Sequence, residues 1–185
     1  MNIKEYEEWM IHILNLLYDI VKEDGSVFFN HKPIRYNNKI YHPIKFILQS
    51  KFNIYQEIIW DRKNSPNIRK DILTPCTERI YWLSKGKPKV YRDELDREFC
   101  SEVWNISPQK QNNHPAPFPL QIPINCINLT TKENDVVLDP FMGSGTTGLA
   151  ARMLNRKYIG FELSKNYCDL ATKRIKENTC KAVLY

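Results

Sequence analysis

Apolar residues recur at helical spacing from the start of the chain. Tyr6, Trp9, Met10, Ile13, Leu17, Ile20 and Val21 predict an amphipathic, core-facing helix over Met1–Val21, ended by Asp24-Gly25. Gly25-Ser-Val-Phe-Phe-Asn30 predicts a strand, with His31 and Lys32 at its carboxyl end. His42-Pro43 opens a second helix through Ile44, Phe46, Ile47 and Leu48. Ile54–Trp60 and Thr77–Ser84 read as strands separated by a polar, basic loop, and Lys85-Gly-Lys-Pro-Lys89 ends the second. From Val90 to Asn113 the periodicity is poor. Pro119–Leu129 then predicts a helix, Val136–Leu138 a buried strand, Leu149–Leu154 a helix and Lys157–Leu163 a strand. Ser164 can cap a terminal helix carrying Tyr167, Leu170, Ala171, Arg174 and Ile175. Helices alternating with strands predict an α/β fold. The strands near 26–30, 54–60, 77–84, 135–139 and 157–162 are expected in one mainly parallel sheet flanked by helices.

Composition narrows the class. A chain of 185 residues with 42% hydrophobic and 26% charged content is one ordinary globular domain. It has no internal repeats and no low-complexity segments. Its 27 basic and 21 acidic side chains leave a net charge of +6, a mild excess that suits a nucleic-acid partner. Arg62, Lys63, Arg69, Lys70, Lys85, Lys87 and Lys89 are the candidate phosphate contacts, the competing reading being a solvated rim. The five cysteines are odd in number and lack C-x-x-C spacing, which points to reduced thiols in a cytoplasmic protein rather than to a zinc site or disulfides. No apolar run approaches membrane-spanning length, and no signal peptide is expected. His31 sits where open α/β sheets place ligand contacts, but a hydrogen-bonded structural histidine is the favoured reading.

The candidate chemistry lies in Asp139-Pro-Phe-Met-Gly-Ser-Gly-Thr-Thr-Gly148, between the predicted strand and helix. Strand, glycine turn and helix make the setting in which a G-x-G-x-x-G spacing means nucleotide binding. The glycines let backbone approach a ligand, and the helix start offers unpaired N–H groups. Charge selects the ligand. A dinucleotide would bring its pyrophosphate against Asp139. S-adenosylmethionine (AdoMet) carries an ammonium for Asp139 and a single carboxylate for the helix start. Glu162, ending the next predicted strand, can accept from both ribose hydroxyls. The alternatives are a generic βαβ unit with Asp139 as a cap, and an NAD-dependent oxidoreductase, which Asp139 opposes.

Asp139-Pro-Phe-Met-Gly-Ser-Gly-Thr-Thr-Gly148 resembles the AdoMet motif of DNA amino-methyltransferases, which methylate adenine N6 or cytosine N4. Asn113-His-Pro-Ala-Pro-Phe-Pro119 resembles the family segment that closes over the methionine end of AdoMet. The resemblance covers nearly the whole chain. It implies a Rossmann-like methyltransferase sheet, DNA as partner, and Asp139, Pro140, Phe141, Gly143, Ser144, Gly145, Thr146, Glu162, His114 and Phe118 as AdoMet contacts. Finding the AdoMet motif near the C-terminus resembles the permuted β-type order. That order implies residues 1–84 as the remnant of a catalytic half, 85–113 as a short target-recognition segment and 114–185 as the AdoMet half. The family's catalytic tetrapeptide, Asp/Ser/Asn-Pro-Pro-aromatic, is absent, because the chain holds no Pro-Pro pair. No catalytic residue is therefore assigned. In the family the strand bearing this tetrapeptide lies between those of Val136–Asp139 and Val27–Asn30, so a gap is expected there. A shortened methyltransferase, a strand from another polypeptide, or a differently closed sheet would each account for it. The competing function is a non-catalytic AdoMet- or DNA-binding subunit of a split or degenerate enzyme. Methyltransferases acting on protein glutamine or on RNA usually carry the AdoMet motif first.

Overall fold

The computed structural model describes residues 2–63, 70–108 and 119–181, the side chains of 178–181 excepted. The chain forms two compact units, Met1–Lys89 with Glu98–Ser107, and Val90–Arg97 with Pro108–Tyr185.

The first unit begins with helix α1 (Ile3–Ile20). A reciprocal cap starts it: Glu5 N–H donates to Asn2 Oδ1 at 3.0 Å and Asn2 N–H donates to Glu5 Oε2 at 2.9 Å. Met10 and Leu14 are buried, with Tyr6, Leu17, Tyr18 and Val21 packed around the same cluster. Two residues expected on this face are elsewhere, since Trp9 is 41% and Ile20 66% exposed. Both the 6-10-14-17-21 stripe and the 9-13-16-20 stripe are apolar and lie on adjacent faces. Only packing against Phe46, Ile47, Tyr81 and Leu83 chooses between them.

Strand β1 (Val27–His31) is followed by a short hairpin, β2 (Ile34–Tyr36) and β3 (Lys39–Tyr41), which the apolar pattern did not predict. Helix α2 is a single turn (Ile44–Ile47). Strands β4 (Asn53–Asp61) and β5 (Thr77–Ser84) lie where expected, and β6 (Val103–Asn105) falls in the stretch of poor periodicity. The sheet order is β1-β5-β4-β6. Strand β5 pairs antiparallel with both β1 and β4, and only β6 joins in parallel, on β4. The expectation of one mainly parallel sheet is therefore corrected. The link from Arg62 to Cys76 contains no helix among its described residues, and a parallel return needs a crossover, so β4 and β5 pair as a hairpin. Trp60 and Trp104 are buried at the β4–β6 end, where Trp60 Nε1 donates to Ile106 O at 2.7 Å and Trp104 Nε1 to Phe99 O at 3.0 Å.

His31 closes β1 as a structural group. A carbonyl can only accept, so Nδ1 donates to Lys32 O at 2.7 Å, and Nε2 accepts from the Tyr6 hydroxyl at 2.8 Å. The rings of Tyr6, Phe29 and Phe46 surround it at 5.5 to 5.8 Å. Burial holds its pKa below the usual imidazole value. The sign follows: below about pH 6.5 the unfolded chain binds a proton that the folded pocket still refuses, so stability falls as pH falls. Thermal melts are expected to show Tm declining from pH 7 to pH 5, with a shallower decline in His31→Gln.

The second unit contains α3 (Gln121–Thr130), β7 (Val136–Asp139), α4 (Thr146–Met153), β8 (Lys157–Gly160) and α5 (Lys165–Lys181). Strands β7 and β8 are parallel, with Asp139 opposite Gly160, as a strand-helix-strand crossover requires. Ile127, Ala150 and Ala151 form its core, with Val137 and Tyr158 packed on them. Among the described residues β1 pairs only with β5, and β7 only with β8, so each keeps one edge without a partner strand. No helix among the described residues is long and apolar enough to cross a membrane.

Candidate cofactor site

The loops after β7 and β8 are tied into one surface. Phe161 N–H donates to Asp139 O at 3.0 Å, and Met142 N–H donates to Phe161 O at 2.9 Å. Asp139 Oδ1 accepts from Phe141 N–H at 3.0 Å, an Asx-type turn through Pro140 that fixes the carboxylate at the end of β7. Glu162 stands two residues beyond β8, where Oε2 accepts from Gly143 N–H at 2.9 Å and Oε1 from Ser164 N–H at 2.8 Å. These bonds, the Ser164 amide first, hold the Glu162 pKa below the usual carboxylate range, so the group is an anion at neutral pH. Asp139 and Glu162 therefore share one rim with the glycine loop. Phe141, Phe161 and Leu163, respectively 52%, 60% and 104% exposed, leave apolar surface beside it.

The three glycines do different jobs. At Gly143 (φ +51°) a Cβ would meet nothing nearer than Phe141 O at 4.0 Å, so this backbone is open to a ligand. Gly145 (φ +77°) caps α4, and its Cβ would lie 2.8 Å from Ala171 Cβ. At Gly148 a Cβ would lie 2.4 Å from Tyr158 Cε1 and 2.7 Å from Ile175 Cδ1. Thus the missing side chains of Gly145 and Gly148 make room for α5 and β8. Gly148→Ala is expected to cost about 1–3 kcal/mol through overpacking. A Tm lowered by several degrees in thermal denaturation would show it, and an unchanged Tm would contradict the close seating of α5.

Arg174, in the sequence only a position on the terminal helix, clamps the loop from α5. Its Nη1 donates to Thr146 Oγ1 at 2.9 Å and to Ser144 O and Oγ, both at 3.3 Å. The Ser144 and Thr146 hydroxyls are thus turned toward α5. Its guanidinium would have been hard to single out, since only the fold brings residue 174 beside residue 144. His114 and Phe118 lie outside the described residues.

The seven basic candidates separate clearly. Arg62 pairs with Glu78 at 3.2 Å, and its Nη2 donates to Pro75 O at 2.9 Å. Lys85 pairs with Glu23 at 3.0 Å and lies over the Tyr18 ring, and Lys89 pairs with Asp24 at 2.8 Å. Lys63, Lys70 and Lys87 are exposed, and Arg69 lies outside the described residues. No cluster of His, Cys, Asp and Glu suited to a metal ion occurs among the described residues.

A parallel strand-helix-strand unit with a glycine loop, an acid ending the first strand and another two residues beyond the second fits a Rossmann-like methyltransferase fold. Residues 1–173 match the N6/N4 family of DNA methylases, and the chain belongs to that family. It is similar to the type II methyltransferase M2.DpnII of Streptococcus pneumoniae, with 31% identity over 95% of this chain and 69% of that protein. It is also 38% identical to the type II methyltransferase M2.LlaDCHI of Lactococcus lactis subsp. cremoris, over 70% of this chain and 53% of that one. The chain thus spans about half to two thirds of the length of these relatives. The PvuII cytosine-N4-specific DNA methyltransferase shares the fold, with a TM-score of 0.82 over 97% of this chain and 77% of that one, at 22% identity. The M1.HpyAVI–SAM complex superposes with a TM-score of 0.69 at 28% identity, over 89% and 82% of the two chains.

Proposed function

We propose that the chain is the AdoMet-binding part of a type II DNA amino-methyltransferase, transferring a methyl group to an exocyclic nitrogen of adenine or cytosine. The observation that supports it best is the rim formed by Asp139, Gly143 and ionised Glu162. Two carboxylates there suit an ammonium and ribose hydroxyls and would repel a pyrophosphate. In this reading Asp139 receives the AdoMet ammonium, the start of α4 its carboxylate, and Glu162 its ribose. Pro140 and Phe141 shape the turn, Ser144, Gly145 and Thr146 carry the backbone around the cofactor, and His114 and Phe118 cover its methionine end. Bound AdoMet supplies the activated methyl group; the residues named here hold and orient it.

The β-type order, with residues 1–84 as catalytic remnant, 85–113 reading the target and 114–185 holding AdoMet, belongs to the same proposal. So does a further segment carrying the absent tetrapeptide, from a longer chain or a second subunit. The edges of β1 and β7 that meet no strand among the described residues favour it, because such edges leave backbone groups to be paired. Lys63, Lys70 and Lys87 remain the phosphate contacts among the described candidates. A second reading, a non-catalytic AdoMet- or DNA-binding subunit, is favoured by the absence of any Pro-Pro pair. Calorimetry tests the cofactor: AdoMet should bind and NAD should not, and preference for NAD would overturn the assignment.

A further inference from the structure

Among the described residues the strands of the hairpin β2–β3 pair only with each other. An isolated two-stranded ribbon is marginal in water on its own. It also exposes what a soluble surface usually covers, with Ile34 39%, Tyr36 55% and Ile40 65% exposed. Asn37 and Asn38, at φ 48° and 58°, form a tight two-residue turn of the kind that follows strand twist, and both tolerate positive φ.

Charge identifies the occupant. From Gly25 to Gln56 the sequence contains no Asp or Glu, but has Lys32, Arg35, Lys39, Lys45 and Lys51. Lys45 is held by Glu7 at 3.7 Å and Lys51 by Asp19 at 2.8 Å. Lys32, Arg35 and Lys39 are exposed, with no carboxylate partner among the described residues. The register sets Arg35 opposite Ile40 and Tyr36 opposite Lys39. Because side chains alternate along a strand, Arg35 and Lys39 project from opposite faces of the ribbon. Tyr36 and Tyr41, on the Lys39 face, line a shallow groove with Glu7 and Glu8 of α1. Those two acids already hold Lys45 and Lys4.

We infer that this hairpin is a DNA-binding arm that enters a groove of the duplex tip first. The inference rests on the DNA reading above and adds a surface to it. A two-stranded ribbon fits the major groove. Cations on opposite faces then meet the two phosphate backbones, and the carboxamides of Asn37 and Asn38 reach the base edges, where Asn pairs with adenine N6 and N7.

The test is fluorescence anisotropy with a mixed-sequence 20-base-pair duplex across a salt series (duplex length roughly two helical turns). The full chain is compared with Arg35→Gln/Lys39→Gln. Each lost phosphate contact should flatten the slope of log K against log salt by about 0.9, so the double variant should lose roughly 1.8 and bind about ten- to hundredfold more weakly. Arg35→Lys/Lys39→Arg keeps both charges and should retain slope and affinity. AdoMet calorimetry and Tm of each variant report folding. An unchanged slope in a folded glutamine variant, or the same loss in the charge-preserving variant, overturns the arm. Failure of the unsubstituted chain to bind any duplex overturns the DNA reading as well, and tighter binding to RNA of the same sequence overturns the choice of partner.

Discussion

The 185-residue chain is expected to transfer no methyl group to DNA by itself, and transfer is expected to appear when a segment carrying the Pro-Pro-aromatic tetrapeptide is supplied. An exocyclic amino lone pair is delocalised into its ring and is a poor nucleophile. It needs acceptors for its hydrogens and a surface that holds the extruded base in line with the sulfonium. The second unit offers cofactor-type groups, Asp139, Gly143 and Glu162, and the chain offers no tetrapeptide. Reactants would then meet without orientation, and orientation is worth up to about 7–11 kcal/mol in favourable cases. Tritiated-methyl incorporation into mixed-sequence DNA, with and without the upstream-extended protein of a relative's length, reads the difference. Robust AdoMet-dependent incorporation by the 185 residues alone would mean that the acceptor lies within them, with Asn30 the first residue to replace. His31 is a poorer candidate, because both its ring nitrogens are engaged.

Glu162→Ala is expected to weaken AdoMet binding by roughly one to two orders of magnitude. Losing charge-assisted hydrogen bonds to the ribose should cost roughly 10- to 100-fold in affinity. The same carboxylate ties Gly143 to Ser164, so the substitution also loosens the glycine loop. Glu162→Gln keeps one acceptor oxygen and should lose less. The pH dependence has a defined sign. The folded pKa is depressed, so the interaction is fully present above the unfolded value near 4.3 and is lost as pH falls through the lower folded value. Calorimetry showing equal affinity in the wild type and Glu162→Ala would remove Glu162 from the site.

What was legible in the sequence divides along physical lines. The turn from Asp139 to Gly148 and the acid at Glu162 were readable because a local run of chain builds them. Strands β4 and β5 were readable from their apolar runs, yet their antiparallel pairing was not. Leu14 was missed because two apolar stripes compete on α1 and only tertiary packing selects one. Gly145 and Gly148 carry the right spacing for a ligand loop but owe their identity to α5, which returns from some 25 residues away. The hairpin at Ile34–Tyr41 was not read, because its three-residue strands are too short for periodicity to register. The ion pairs that occupy Arg62, Lys85 and Lys89 depend on acids distant in sequence or across a strand pair.

The acid-free stretch around the hairpin has a kinetic consequence. It holds five cations and no anion, so all but one unit of the chain's net +6 resides in one sixth of its length. Lys45 and Lys51 are paired with Glu7 and Asp19, which leaves Lys32, Arg35 and Lys39 as a local positive patch. An exposed patch of one sign raises the fraction of encounters with a polyanion that begin at that surface. Association should therefore be faster than random encounter and slow steeply with ionic strength. Lys32→Gln, outside the hairpin strands and turn, should slow arrival while leaving the lifetime of the final complex nearly unchanged.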